Sequence, residues 1–532
     1  MVCAVQPNIS IVGRGSGRII RGGFKISPQR FLMNTTIQNF DLLINGKIVS
    51  AHENKYFDAV NPSTGEVIAR IADASTDDVK LAITAARRAF DMSWINSTIS
   101  IEGRAKELLT VAGLIREHAK ELADLESMDT GKTLKQTTFI DIPTAADTFE
   151  YFSNQTDVLN GNPIAVLSSS LCLAQREPIG VVAAIIPWNY PLIMAAWKIA
   201  PALLCGNSVI LKPSPLASLS LMRLAQLIAQ AGLFKGALNI IASSHPQAGA
   251  QLVGHPDVDM VSFSGGTSTG QEVMRLAAQT TKKVVLELGG KSPNIIFSDC
   301  DWDAALGGAL SAIFMNQGQM CTAGSRLLVE DSIYDDFLKA LVDRAKTLKI
   351  GNAMDFQTEF GPIISRQQRD KLLAFVQQGK NEGAKLLCGG KVPAISDSVA
   401  TNGFYFEPTI FGDVQNSMTI AQEEVFGPVL CVIRFKDEAE AVRIANDSKY
   451  GLAAMIWTKD REKANRVAQR LRCGTVWINT YGAFPNEAPF GGYKQSGFGR
   501  ELGKEGLLEF TQTKHVCIDQ TPGGKPLVSA WF

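Results

Sequence analysis

Between residues 181 and 288 the chain alternates short apolar runs with stretches whose apolar positions recur at helical spacing. The runs "VVAAII", "SVILK", "LNIIA", "MVSFS" and "KVVLEL" are rich in β-branched residues and nearly free of polar interruptions. The stretch "SLSLMRLAQLIAQAG" instead sets Leu221, Leu224, Ala225 and Ile228 on one helical face. Buried strands separated by amphipathic helices are what a parallel sheet covered on both faces requires. The fold class expected is therefore α/β. Ligands of such sheets bind beyond the carboxyl ends of the strands, where amides and helix N-termini are free. Here the strands run into "PWNYP", "KPSP", "GGTSTG" and "GGKSP".

Upstream, "STDDVKLAITAARRAFD" opens at Ser75 with a capping box and places Val79, Ile83, Ala86 and Phe90 on one face, so a helix is expected there. The most apolar stretch, "IGVVAAIIPWNYPLIMAAWKIAPALLCGNSVIL", is broken by the Pro-Trp-Asn-Tyr-Pro segment and by Lys198. It lacks the uninterrupted run of about 18 apolar residues that a membrane span needs, and reads as strand, turn, helix, turn, strand. A second set of α/β segments follows from about residue 291 to 505, while residues 161 to 178 and those after about 506 read as an extended arm. At 532 residues the chain is long enough for about three units.

Lysine plus arginine, 52, equals aspartate plus glutamate, 52, so no overall field selects nucleic acid or an anionic membrane as a partner. Nine cysteines without CxxC pairing make neither a disulfide framework nor a zinc knuckle, and a reducing compartment is the simplest setting. The five histidines stand far apart in the chain, and no metal site is expected. The first 40 residues carry Arg14, Arg18, Arg21, Lys25 and Arg30 and no acidic residue before Asp41. Two readings stand: a mitochondrial presequence, hence the matrix, or a leader preceding a true start at Met33, hence the cytoplasm.

Local chemistry singles out a few positions. Cys321, in "NQGQMCTAGSR", is either an inert buried thiol or a nucleophile whose glycine-rich surroundings expose amides for an oxyanion. Glu287 ends an apolar strand between Leu286 and Leu288; it is either a salt-bridged structural glutamate or a general base with a raised pKa. Asn189 in "PWNYP" is either a turn residue or an amide donor to an oxyanion.

Seven motifs in order, "PWNYP", "KPS", "FSGGTSTG", "LELGGKSP", "NQGQMCTAGSR", "EEVFGPV" and "PFGGYKQSGFGRELG", resemble the aldehyde dehydrogenase superfamily over roughly residues 40 to 520. The resemblance implies a Rossmann-type cofactor domain (38–155 and 179–290), an α/β catalytic domain (291–505) and a small β oligomerisation arm (156–178 and 506–532). Residues 1–37 fall outside as a leader or tail, and a homodimer or homotetramer is implied. It makes Cys321 the nucleophile, Glu287 the base, Asn189 an oxyanion donor and Lys198 with Glu501 a proton-relaying pair. For the cofactor, NAD with NADP as the alternative, it points to Ile186, Pro187, Trp188, Lys212, Ser214, Pro215, Gly265, Gly266, Thr267, Leu288, Glu424 and Phe426. The presence of Glu287 implies release of a free acid.

Two departures bear on the cofactor. Pro215 stands where many NAD-preferring relatives have a glutamate that disfavours a 2′-phosphate, and Gly266 where many have serine. Tyr190, Trp197, Met315, Tyr481, Phe484 and Phe490 match positions that line the aldehyde entrance. Such an aromatic lining resembles that of betaine-aldehyde and amino-aldehyde dehydrogenases, although Met315 stands where several of these place an aromatic and Phe490 where many have tryptophan. The expected activity is oxidation of an aldehyde to the acid, with betaine-type aldehydes the leading class and aliphatic, aromatic and other amino-aldehydes fitting as well. The alternatives are a coenzyme A-acylating enzyme and a catalytically silent dinucleotide-binding structural protein.

Overall fold

The apolar runs between residues 181 and 288 become five adjacent parallel strands, Val181–Ile185, Ser208–Lys212, Leu238–Ile240, Met260–Ser264 and Lys283–Glu287, in the computed structural model. The structure describes residues 37–96, 99–166, 170–395, 402–520 and 523, so the leader, on which both start-site readings turn, lies outside the described residues. Strand order is not chain order. Val181–Ile185 is central: Ser208–Lys212 and Leu238–Ile240 add on one side, Met260–Ser264 and Lys283–Glu287 on the other. Three antiparallel strands complete this eight-stranded sheet, Leu42–Ile44 and Lys47–Val49 at one edge and Gly497–Phe498 at the other. The last of these comes from far along the chain and sets Gly497 opposite Glu287.

The helix expected from Ser75 spans Thr76–Asn96, and its box forms: Asp78 Oδ2 accepts from the Ser75 N–H at 2.8 Å. The helix Leu219–Ala231 buries its expected face and also Leu219, Met222 and Leu227, because the helix Ala119–Thr130 packs against it outside the sheet. It stops at Gly232, whose φ of +69° suits the left-handed cap. The apolar stretch around Pro187 folds as strand, turn, helix Pro191–Leu204 and strand. Among the described residues no helix is long and apolar enough to cross a membrane.

A second, seven-stranded sheet has the order Lys385–Cys388, Thr409–Gly412, Val429–Phe435, Arg326–Glu330, Pro293–Ile296, Ala453–Trp457 and Thr475–Ile478. Its strands are parallel except for the first pair. The segment Ser170–Pro178 lies antiparallel between Asn162–Ile164 and Thr511–Asp519, forming a narrow, largely exposed three-stranded sheet. Gln38–Phe40, Val67–Ala72 and Tyr56–Val60 make a further small sheet.

Candidate active site

The chain runs outward from Val181–Ile185 in one direction and returns beside it at Met260–Ser264, so a crevice opens at the carboxyl ends of these two neighbours. Pro187, Trp188 and Asn189 leave the first strand into it, and Gly265 and Gly266 leave the second. The helix Thr267–Ala277 begins there with no side-chain cap, and the buried Ser264 hydroxyl has no hydrogen-bond partner. A Cβ on Gly266 would meet nothing within 4 Å. Open space beside uncapped amides and an unsatisfied hydroxyl fits a dinucleotide's phosphates. The crevice continues into a cavity of about 440 Å³ that joins this sheet to the Cys321 loop.

That loop begins where the helix Trp302–Phe314 ends. Asn316, Gln317 and Gly318 have φ of +48°, +53° and +69°, and a Cβ on Gly318 would lie 2.3 Å from the Gly427 carbonyl. Two consecutive non-glycine residues at positive φ are costly and persist because the side chains hold them. The Asn316 amide donates to the carbonyls of Gln319 at 3.1 Å and Asn189 at 3.4 Å, and Gln319 Oε1 accepts from the Ile364 N–H at 3.0 Å. Asn189 Nδ2 donates to the Gln319 carbonyl at 3.0 Å, leaving one amide proton for the cavity. Cys321 follows, partly exposed to the cavity. Burial, reinforced by the carboxylates of Glu424 and Glu287, pushes its thiol up to about 12.

Glu287 faces the same cavity from the end of its strand. It is 7% exposed and neither carboxyl oxygen has a hydrogen-bond partner. Burial, then the nearby Glu501 carboxylate, raise its pKa well above the usual range, while Lys198 and Arg500 pull against them. Lys198 and Glu501 pair directly, both fully buried, and the Lys198 ammonium also donates to Ser262 Oγ at 3.1 Å. Glu501 reaches the cavity and Lys198 lies behind it.

The paired glycines after Glu287 are explained by what approaches them. A Cβ on Gly289 would sit 2.0 Å from the Glu424 carboxylate, and one on Gly290 would sit 2.5 Å from the Cys321 carbonyl. Glu424 Oε1 accepts from the Gly290 N–H at 3.1 Å, and burial lifts its pKa to about 7. Phe426, at φ +56°, packs edge-on against Trp188 with ring centroids 5.1 Å apart. A cysteine thiol, a buried carboxyl, an amide donor and a glycine-lined crevice thus meet in one space. Residues 48–516 match the profile of the aldehyde dehydrogenase family.

The chain belongs to the aldehyde dehydrogenase family. It is 47% identical to betaine aldehyde dehydrogenase of Bacillus subtilis, over 92% of this chain and 99% of that one. It is 44% identical to mitochondrial aldehyde dehydrogenase of Homo sapiens, over 90% of this chain and 91% of the relative. Among solved structures, betaine aldehyde dehydrogenase from Staphylococcus aureus in complex with NAD+ superposes with a TM-score of 0.89 at 44% identity, covering 92% of this chain and 96% of that one.

In this aldehyde dehydrogenase the cavity is lined on one side by Tyr190, Trp197, Met315, Phe484 and Phe490. Trp197 and Phe490 pack at 5.4 Å, Phe484 and Phe490 at 5.5 Å, and Trp477 backs Phe484 at 5.1 Å. The buried Trp197 indole N–H has no partner. Tyr481 stands behind this lining, its hydroxyl 3.5 Å from Met320 Sδ. Leu288 lines the cavity, whereas Ile186, Lys212, Ser214, Pro215 and Thr267 do not. Lys212 ends the strand on the other side of Val181–Ile185 from the crevice, and Ser214 and Pro215 lie in the turn that follows it. The buried Lys212 ammonium, lowered to about 8 by burial, donates to the Ser243 carbonyl at 3.2 Å.

Several lining residues carry no signal in the sequence. Gln368 and Lys371 come from the helix Arg366–Asn381, and Gln368 Nε2 donates to the Phe426 carbonyl at 2.9 Å, steadying that loop. Ile140 and Thr144 enter from a π-helical turn, Thr137–Asp141, and the helix after it. Behind Tyr190, the fully buried Lys132 pairs with Glu126 at 3.0 Å and with Asp141, and its ammonium lies 4.5 Å from the Tyr190 ring centroid.

Proposed function

We propose that this aldehyde dehydrogenase oxidises a betaine-type or other amino-aldehyde to the free carboxylic acid through a covalent bond to Cys321. The observation that carries this is the meeting of the Cys321 thiol and the unpartnered Glu287 carboxyl in one cavity beside the Asn189 amide. Cys321 gives its proton to Glu287 and its sulfur adds to the carbonyl carbon. The oxyanion so formed accepts from the free Asn189 amide proton and from the Cys321 backbone N–H. Trp188, Gly265, Gly266, Leu288, Glu424 and Phe426 would hold a nicotinamide dinucleotide, which when bound accepts the hydride that the adduct carbon gives up. Glu287 first passes the thiol proton on through Glu501 and Lys198; the freed carboxylate then takes a proton from the water that attacks the thioester carbon, and the Cys321 thiolate leaves as the acid is released. Because Glu287 makes no hydrogen bond here, it can turn from thiol to water without breaking one.

An amino-aldehyde is supported by the aromatic lining and by the B. subtilis and S. aureus relatives. Lys132 already occupies one face of Tyr190, so a substrate cation is received by Trp197 and Phe484, each contact contributing about 0.5–2 kcal/mol. With Pro215 in place of a carboxylate, both NAD and NADP are accepted. The arm, whose strand Thr511–Asp519 is an exposed edge, joins copies of the chain. A panel of aliphatic, aromatic and amino-aldehydes, assayed with NAD and NADP separately, tests this reading. The amino-aldehydes should give the highest kcat/KM, and Cys321→Ala should abolish NAD(P)H formation while cofactor still binds; turnover retained by that variant refutes the covalent route.

A further inference from the structure

Cys172, His515 and Cys517 meet on one face of the arm. Antiparallel pairing of Ser170–Pro178 with Thr511–Asp519 sets Cys172 directly opposite Cys517, and His515, two residues before Cys517, projects from the same face. The two sulfurs lie 3.4 Å apart, and one donor atom from each of the three residues falls within 4.8 Å of the others. Tetrahedral zinc, about 2.3 Å from sulfur and about 2.0 Å from nitrogen, spaces its ligand atoms roughly 3.3–3.8 Å apart. The sulfur pair already has this spacing, and side-chain rotation suffices to bring the His515 nitrogen, within 4.8 Å of both, to a third corner of such a tetrahedron. Cys172 is buried while Cys517 and His515 are exposed, which leaves the outer side open to an arriving ion and to water as a fourth ligand.

We propose that these three residues form a zinc site that clasps the C-terminal strand to the arm. Two thiolates and an imidazole favour a soft or borderline ion over magnesium or calcium, whose sites are built from oxygen. Zinc displaces the two thiol protons and joins positions 345 residues apart in the chain. The site belongs to the arm sheet and contributes no residue to the Cys321 cavity.

The full chain carrying Cys321→Ala, which removes the reactive thiol, is reduced, stripped with a chelator and titrated with Zn2+ against a chromophoric competitor. One equivalent should bind with a rise in Tm, and Co2+ should give a thiolate-to-cobalt band in the near ultraviolet with tetrahedral bands in the visible. Adding Cys172→Ser or His515→Ala should weaken zinc by at least roughly tenfold and remove the rise in Tm. With active Cys321 restored, His515→Ala should leave aldehyde turnover unchanged. Equal zinc binding by the parent and both variants overturns the site. So does loss of binding in Cys172→Ser alone, which would reduce the cluster to a dithiol pair.

Discussion

Gly290→Ala places one methyl group between the sheet end that carries Glu287 and the loop that carries Cys321. Built on the native backbone, the new Cβ would lie 2.5 Å from the Cys321 carbonyl oxygen and 3.2 Å from Leu452 Cβ. Ordinary contact begins at 3.4 Å, so relief requires a displacement of about 0.9 Å between these two backbones. Neither side yields freely: the Gly290 N–H is bonded to Glu424, and the Cys321 loop is held by the Asn316, Gln319 and Asn189 side chains. Misplacing a reacting atom by about 1 Å can cost roughly 100-fold in rate, near 2.7 kcal/mol, and overpacking about 1–3 kcal/mol in stability. The variant should therefore lose about two orders of magnitude in kcat, with a Tm lower by several degrees. The assay is steady-state NAD(P)H absorbance for the best aldehyde of the panel, with the melting curve recorded on the same sample. Gly266→Ala, whose Cβ enters open space, serves as the control and should melt like the parent. A Gly290→Ala protein with kcat within about threefold of the parent would refute the claim that this contact positions the thiol.

Glu287→Gln keeps the shape of the carboxyl but cannot take a proton, so steady-state turnover should fall by about 10²–10⁴, with rapid-quench experiments showing acyl-enzyme accumulating; undiminished turnover removes Glu287 from the mechanism. Because burial and two carboxylates raise the Cys321 thiol to about 12, the thiolate fraction of the unliganded protein grows with pH throughout the accessible range. Iodoacetamide alkylation of Cys321, followed by mass spectrometry, should accelerate by about tenfold per pH unit from roughly 7 to 10, and a plateau in that range contradicts the burial argument. Pro215→Glu restores a carboxylate against the 2′-phosphate; it should raise KM for NADP by roughly tenfold or more and leave KM for NAD nearly unchanged, and equal effects on both would separate Pro215 from cofactor choice.

The chain's local patterns were enough for the five parallel strands of the first sheet, two of the helices, and the candidate residues. Periodicity is a property of neighbours in sequence, so the five parallel strands and the helix from Ser75 were legible directly. Cys321, Glu287 and Asn189 each had an ordinary local reading as well, and it was the resemblance carried by seven ordered motifs that singled them out. Strand order was not legible, because pairing is decided by burial among distant segments. Only the folded chain puts Val181–Ile185 beside Met260–Ser264 and so opens the crevice. Gln368, Lys371 and Lys132 carry no local mark, since a polar residue on a helix or in a turn looks the same whether it faces solvent or a cavity. The same holds for Cys172, His515 and Cys517, which no spacing rule connects and which two strands far apart in the chain bring together. Sequence supplied the candidate groups; the close approaches of separate backbones, down to the missing Cβ atoms of Gly289 and Gly290, determined which of them meet.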